Sequence, residues 1–200
     1  IWDVKCDGQW LVTSQSGTHD VSIVDYKAMI EKLEAYADKS KLDYDLYFMR
    51  GIRVRLPIEG NGPRAMAMRD GKIYLPTYFS DVLNVVDLKE QSVEAVAYNP
   101  ARVESSRDKG ERAFNDASLC YQNWQSCNGC HPDDGRTDGM NWDLMNDGIG
   151  NPKNCKSMLF SFQTPKNMIS GIRDHAGIAV RAGYKFIQFC DVDEATALDV

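Results

Sequence analysis

The segment "VKCDGQWLVTSQSGTHDVSIVD", from Val4 to Asp25, is echoed by "MAMRDGKIYLPTYFSDVLNVVD", from Met66 to Asp87. Each copy runs from an apolar alternating stretch into Asp-Gly, then through a short strand (Gln9 to Ser14; Lys72 to Thr77) and a polar turn. Each closes on a Val/Ile strand ending in Asp (Val21 to Asp25; Leu83 to Asp87). Asp-Gly supplies the positive φ angles of a tight hairpin, and alternation such as Ile73, Leu75, Thr77 suits strands buried on one face. The first hundred residues are therefore expected to form two copies of one antiparallel unit.

Four strands per repeating unit is the pattern of propeller blades. On these residues, "IYLPTYFSDVLNVVDL" above all, residues 1–100 resemble YVTN-type β-propellers. Two blades cannot close a ring, so the rest of the propeller is expected from outside this chain. Between the copies, "DYKAMIEKLEAYADKS" places Met29, Leu33, Tyr36 and Ala37 on one helical face, with Asp25 as a cap, which predicts a helical insert over residues 26–40. "YNPARVESSRDKG" marks a boundary near residue 100: Pro100 stops the last strand, and Ser105 or Ser106 can cap a helix carrying Gly110, Ala113, Phe114 and Ala117 on one face.

Beyond that boundary Val-rich strands give way to Gly- and Asp-rich loops and helical patterns. Here Cys127, Cys130 and His131 spell "CNGCH". Two thiols three residues apart share one side of a helical turn, where they can add to the two vinyl groups of a haem, with the adjacent histidine beneath the iron as proximal ligand. A zinc site would need two further ligands at suitable spacing, and neither a second CxxC nor an HxxxH follows. A thioredoxin-like pair would sit in a βαβ pattern, which is absent.

The pattern "CxxCH", then "DGRTDG", "GNPKNCKS" and "TPKNMISGIR" is similar to the first haem domain of the dihaem cytochrome c peroxidase superfamily, in the branch fused to a propeller. The resemblance implies an all-helical cytochrome c domain over residues 101–200, in which Gly110 and Phe114 pack the first helix against the last. The fold class expected is thus mixed and multidomain, a two-bladed partial β-propeller followed by an all-α cytochrome c domain.

For the iron's other face the thioether and imidazole candidates are Met140, Met145, Met158, Met168 and His175; Met168 ranks first because it follows a Pro-containing loop. Arg136 and Arg173 are candidates for pairing with haem propionates, and Trp142 for walling the ring or donating its indole N–H. The family's peroxidases bind calcium between domains, so calcium is a second candidate cofactor, with "DDGRTDG" as its loop even though the EF-hand order is not met. Cys6, Cys120, Cys155 and Cys190 are left for disulfides or buried thiols.

Single-electron transfer through one covalent haem is the function these residues favour. The alternative is a peroxidase-like dihaem oxidoreductase with its second haem outside this chain. That family's chemistry uses Gln and Glu after the Gly-x-Arg, where this chain has Asp174 and His175 and no Gln before Gln188. A redox partner protein or second haem domain is expected as partner.

The net charge of −6 leaves no basic stripe for nucleic acid, and no run of about 20 apolar residues spans a membrane. Haem attachment and spare cysteines suit an oxidising compartment, periplasm or cell surface. The start at Ile1 and a last helix that stops after about two turns suggest a piece of a larger protein.

Overall fold

The computed structural model describes residues 1–143, 149–168 and 170–200. It divides into two compact units, Ile1–Arg102 and Val103–Val200.

The first unit holds two four-stranded antiparallel sheets, each a meander in chain order. One comprises β1 (Val4–Cys6), β2 (Trp10–Gln15), β3 (Asp20–Asp25) and β4 (Arg53–Pro57); the other β5 (Ala67–Arg69), β6 (Lys72–Pro76), β7 (Val82–Asp87) and β8 (Ser92–Ala97). The two copies share a register, with the closing aspartate opposite the first residue of the preceding strand: Asp25 faces Trp10 and Asp87 faces Lys72. Asp70 and Gly71 both lie at positive φ, 50° and 72°, so the β5–β6 hairpin is the tight turn that Asp-Gly permits. Val12, Val21, Ile23, Met66, Ile73, Leu75, Val86 and Leu88 form one buried cluster drawing on both sheets. The sheets are also stitched by polar bonds: the Asp3 carboxylate accepts from Met66 N–H (2.9 Å), and Ser14 Oγ donates to Arg64 O (2.8 Å).

Helix α1 (Tyr26–Glu34) begins at Asp25, whose carboxylate accepts from Ala28 N–H at 3.0 Å. It buries none of its residues. Tyr36 and Phe48 meet edge to face at 5.8 Å and Tyr36 donates to Asp45 at 2.7 Å, so the segment between β3 and β4 packs largely on itself.

In the second unit helices are few and short. They are α2 (Ser106–Asn115), the single turns α3 (Cys127–Cys130) and α4 (Pro132–Gly135), α5 (Ala176–Phe186) and α6 (Glu194–Asp199). Beside them lies a two-stranded antiparallel ladder, β9 (Asn141–Trp142) with β10 (Lys153–Asn154). The expected partial propeller followed by an all-α domain is therefore corrected: among the described residues the chain is mixed α and β, with three antiparallel sheets and short helices. The reason is local. Asp133, Asp134, Gly135, Gly139, Gly150, Phe160, Met168 and Gly171 all take positive φ, which no right-handed helix tolerates; they leave α4 an irregular turn and stop longer helices from forming.

Helix α2 is capped at its start. Ser105 and Asp108 form a reciprocal capping box at the start of α2 (Ser105 Oγ to Asp108 N–H, 3.2 Å; Asp108 Oδ2 to Ser105 N–H, 2.9 Å). At Gly110, a Cβ would stand 1.9 Å from the Asp199 carbonyl oxygen, so only glycine lets α2 and α6 meet this closely. Arg181 on α5 grips Glu194 on α6 with Nε to Oε2 at 2.9 Å.

Candidate functional site

The CNGC stretch folds as one turn because Ser126 stands extended before it and Pro132 follows it. His131 N–H then donates to Cys127 O at 2.9 Å, closing the turn beneath the imidazole. Both thiols therefore project from the same side of α3, three residues apart. The His131 ring is oriented through Nδ1, 3.4 Å from Arg136 O, a contact that leaves Nε2 as the nitrogen for a metal.

Three further residues complete the site, and sequence spacing alone did not reveal them. Cys155 rests against the imidazole, its sulfur 3.6 Å from Nδ1 and 3.8 Å from Nε2, and its thiol donates to Cys130 O at 2.9 Å. It is held there by Met140 O, which accepts from Cys155 N–H (3.0 Å), and by Thr137 Oγ1, which donates to Cys155 O (2.8 Å). Gln188 is 4% exposed, and its carboxamide spans two segments: the nitrogen donates to Leu119 O (2.9 Å) and the oxygen accepts from Cys127 N–H (3.3 Å). Gln125 Nε2 reaches Ile187 O at 3.4 Å. The only hint of Gln188 in the sequence is a lone amide inside the apolar run "FIQFC".

Burial pushes the Cys127 thiol up to about 11. It pushes Cys130 to about 11 as well, with Cys155 adding to the rise. Both are neutral thiols at physiological pH, which disfavours a thiolate-bound metal or a nucleophilic cysteine. Among the described residues no group of three or more His, Cys, Asp or Glu is arranged to hold a metal ion.

The remaining candidates are dispersed. Trp142 gives its indole N–H to Asp138 Oδ2 at 2.8 Å, so that donor is committed. Arg136 is exposed and serves the histidine through its carbonyl. Arg173 is half-buried, and its Nε has no hydrogen-bond partner among the described residues. Asn167 and Arg173 pair backbone to backbone (2.8 and 3.3 Å) and close a hairpin whose tip begins at Met168, a residue at φ 72° and half exposed. Met140 is exposed, Met158 half-buried with its N–H on Gly135 O at 2.7 Å, and His175 is the exposed residue before α5. Met145 lies outside the described residues.

The chain resembles part of a hydrazine synthase subunit. The gamma subunit of hydrazine synthase from Kuenenia stuttgartiensis is 33% identical over 98 residues, which make up 49% of this chain and 28% of that protein. The chain thus matches under a third of the length of this relative. No family model matches the chain, and no solved structure does.

Proposed function

We propose that Cys127, Cys130 and His131 hold a covalently attached haem c and that the chain carries out single-electron transfer through it. The carrying observation is the closed turn from Cys127 to His131, with two neutral thiols on one side and an imidazole whose Nδ1 faces a carbonyl. These residues fit the group. Thioether formation consumes thiols, not thiolate ligands, and the unit exposes large apolar side chains, Phe160 and Phe162 at 70% and 69%, that a flat apolar ring could cover. When bound, a haem supplies an iron that gains and loses one electron.

The protein's own residues set the conditions for that step. His131 offers Nε2 while Arg136 O orients the ring, and Cys155 packs beside it. Arg173, with its half-buried and unpartnered Nε, is the proposed partner of a propionate. Met168, at positive φ and half exposed, would offer its thioether sulfur as a second protein ligand to the group. We further propose that the chain works within a larger redox assembly, since the relative is named as a subunit, and in an oxidising compartment such as the periplasm or cell surface. No helix among the described residues is long and apolar enough to cross a membrane.

Expression with a haem-attachment system and a reduced-minus-oxidised spectrum after denaturing electrophoresis tests this reading. Haem should stay on the wild-type chain and be lost from Cys127→Ser/Cys130→Ser. His131→Ala should shift the Soret band. A wild-type chain that never retains haem overturns the proposal.

A further inference from the structure

Two cysteines lie apart from the attachment turn, in segments that the fold sews together. Tyr121 N–H donates to Gln188 O at 2.8 Å, and the Gln188 side chain reaches back to Leu119 O at 2.9 Å. Gln125 donates to Ile187 O at 3.4 Å, so the chain around Cys120 and the chain leading into Cys190 are bonded on both flanks. Cys190 is itself fixed by its N–H on Tyr184 O at 3.1 Å. Cys120 directly precedes Tyr121 and Cys190 lies two residues past Gln188, so the Tyr121–Gln188 bond brings the two cysteine-bearing segments together; both cysteines are free thiols in this structure.

We propose that Cys120 and Cys190 form a disulfide that anchors the segment after α5 to the loop entering the attachment turn. The other thiols are otherwise engaged. Cys127 and Cys130 belong to the proposed haem, Cys155 sits against His131 beyond Cys130, and Cys6 is on β1 of the other unit. This assignment rests on the haem reading only in excluding Cys127 as a partner. Burial raises the Cys120 thiol and the nearby Cys190 raises it further, so the two thiols are close enough to feel one another.

Cys190 is the more accessible of the two and reacts first. Its thiolate attacks the disulfide of an oxidised dithiol protein, forming a mixed disulfide and releasing one donor thiol. Cys120 then attacks the Cys190 sulfur, closing the bond and releasing the second donor thiol. Two cysteine thiols are oxidised and one donor disulfide is reduced, with both protons passing to the donor. The bond has a use beyond anchoring: the Gln188 carboxamide joins Leu119, beside Cys120, to Cys127, and pairing Cys120 with Cys190 keeps Cys127 available for attachment.

The full chain, exported and trapped with N-ethylmaleimide under denaturing conditions, can be cut with trypsin and chymotrypsin without reduction and read by mass spectrometry. A Cys120 peptide linked to the Cys190 peptide is expected. Both carrying maleimide, or Cys120 joined to any other cysteine, overturns the proposal. In Cys190→Ser, Cys120 should become maleimide-labelled or pair with its neighbour Cys127, and a Cys120 blocked in any other way would also refute the proposal. Haem mass on the Cys127 to Cys130 peptide is read separately in the same digest, so its absence beside an intact link sinks the haem reading alone.

Discussion

At the scale of single residues, the buried thiols make a prediction about pH. Cys127 and Cys130 titrate near 11 when folded, against 9.0 for an ordinary thiol. Between those values the unfolded chain has lost protons that the folded chain keeps, so stability falls as pH rises. The loss is about 1.4 kcal/mol per pH unit for Cys127, and smaller for Cys130, whose partly solvated position screens the effect. Urea titrations of the haem-free chain should show this decline from about pH 9 upward, and attachment should abolish it because thioethers carry no proton. Gln188 makes a second prediction. Gln188→Leu strands the Cys127 N–H and the Leu119 carbonyl and should cost about 2 to 4 kcal/mol in a thermal melt. Cys127, Cys130 and His131 could be read from spacing because one helical turn fixes them relative to each other. Gln188 and Cys155 could not, since each reaches the site only after distant segments have closed on it.

Elements differed in how plainly the sequence announced them. Asp70 and Gly71 declared a hairpin because few other residue pairs accept two positive φ angles in succession, and Asp25 declared a helix start because its short carboxylate reaches a free N–H. The expectation of an all-helical second half failed for the complementary reason. It followed a motif pattern and gave too little weight to the Gly and Asp residues between motifs, whose left-handed conformations break the chain into single turns and leave room for β9 and β10. The α2–α6 contact is the clearest test at this scale. Gly110→Val would drive side-chain carbon into the Asp199 carbonyl and should cost about 3 kcal/mol, whereas Gly183→Ala on α5, where a Cβ meets nothing, should be neutral or stabilising. Thermal melts of the two variants separate these outcomes.

Over the whole molecule, the two sheets of the first unit differ chiefly in how the third strand reaches the fourth. After β7 the Asp87 carboxylate accepts from Lys89 and Glu90 N–H (3.1 and 3.0 Å) and the chain turns straight into β8. After β3 the equivalent Asp25 opens α1 instead, and β4 begins only at Arg53. The two ends of that excursion remain joined, with Asp25 N–H on Ile52 O at 2.9 Å, and its helix contributes nothing to the buried cluster. Lengthening a closed loop costs little, about 0.6 kcal/mol per doubling. Replacing residues 26–52 with the sequence of residues 88–91 should therefore leave the β3–β4 ladder intact, with sheet circular dichroism retained and melting changed by no more than a few degrees. The same junction becomes a port: a reporter domain or affinity tag whose termini lie close together could be carried there without disturbing either ladder.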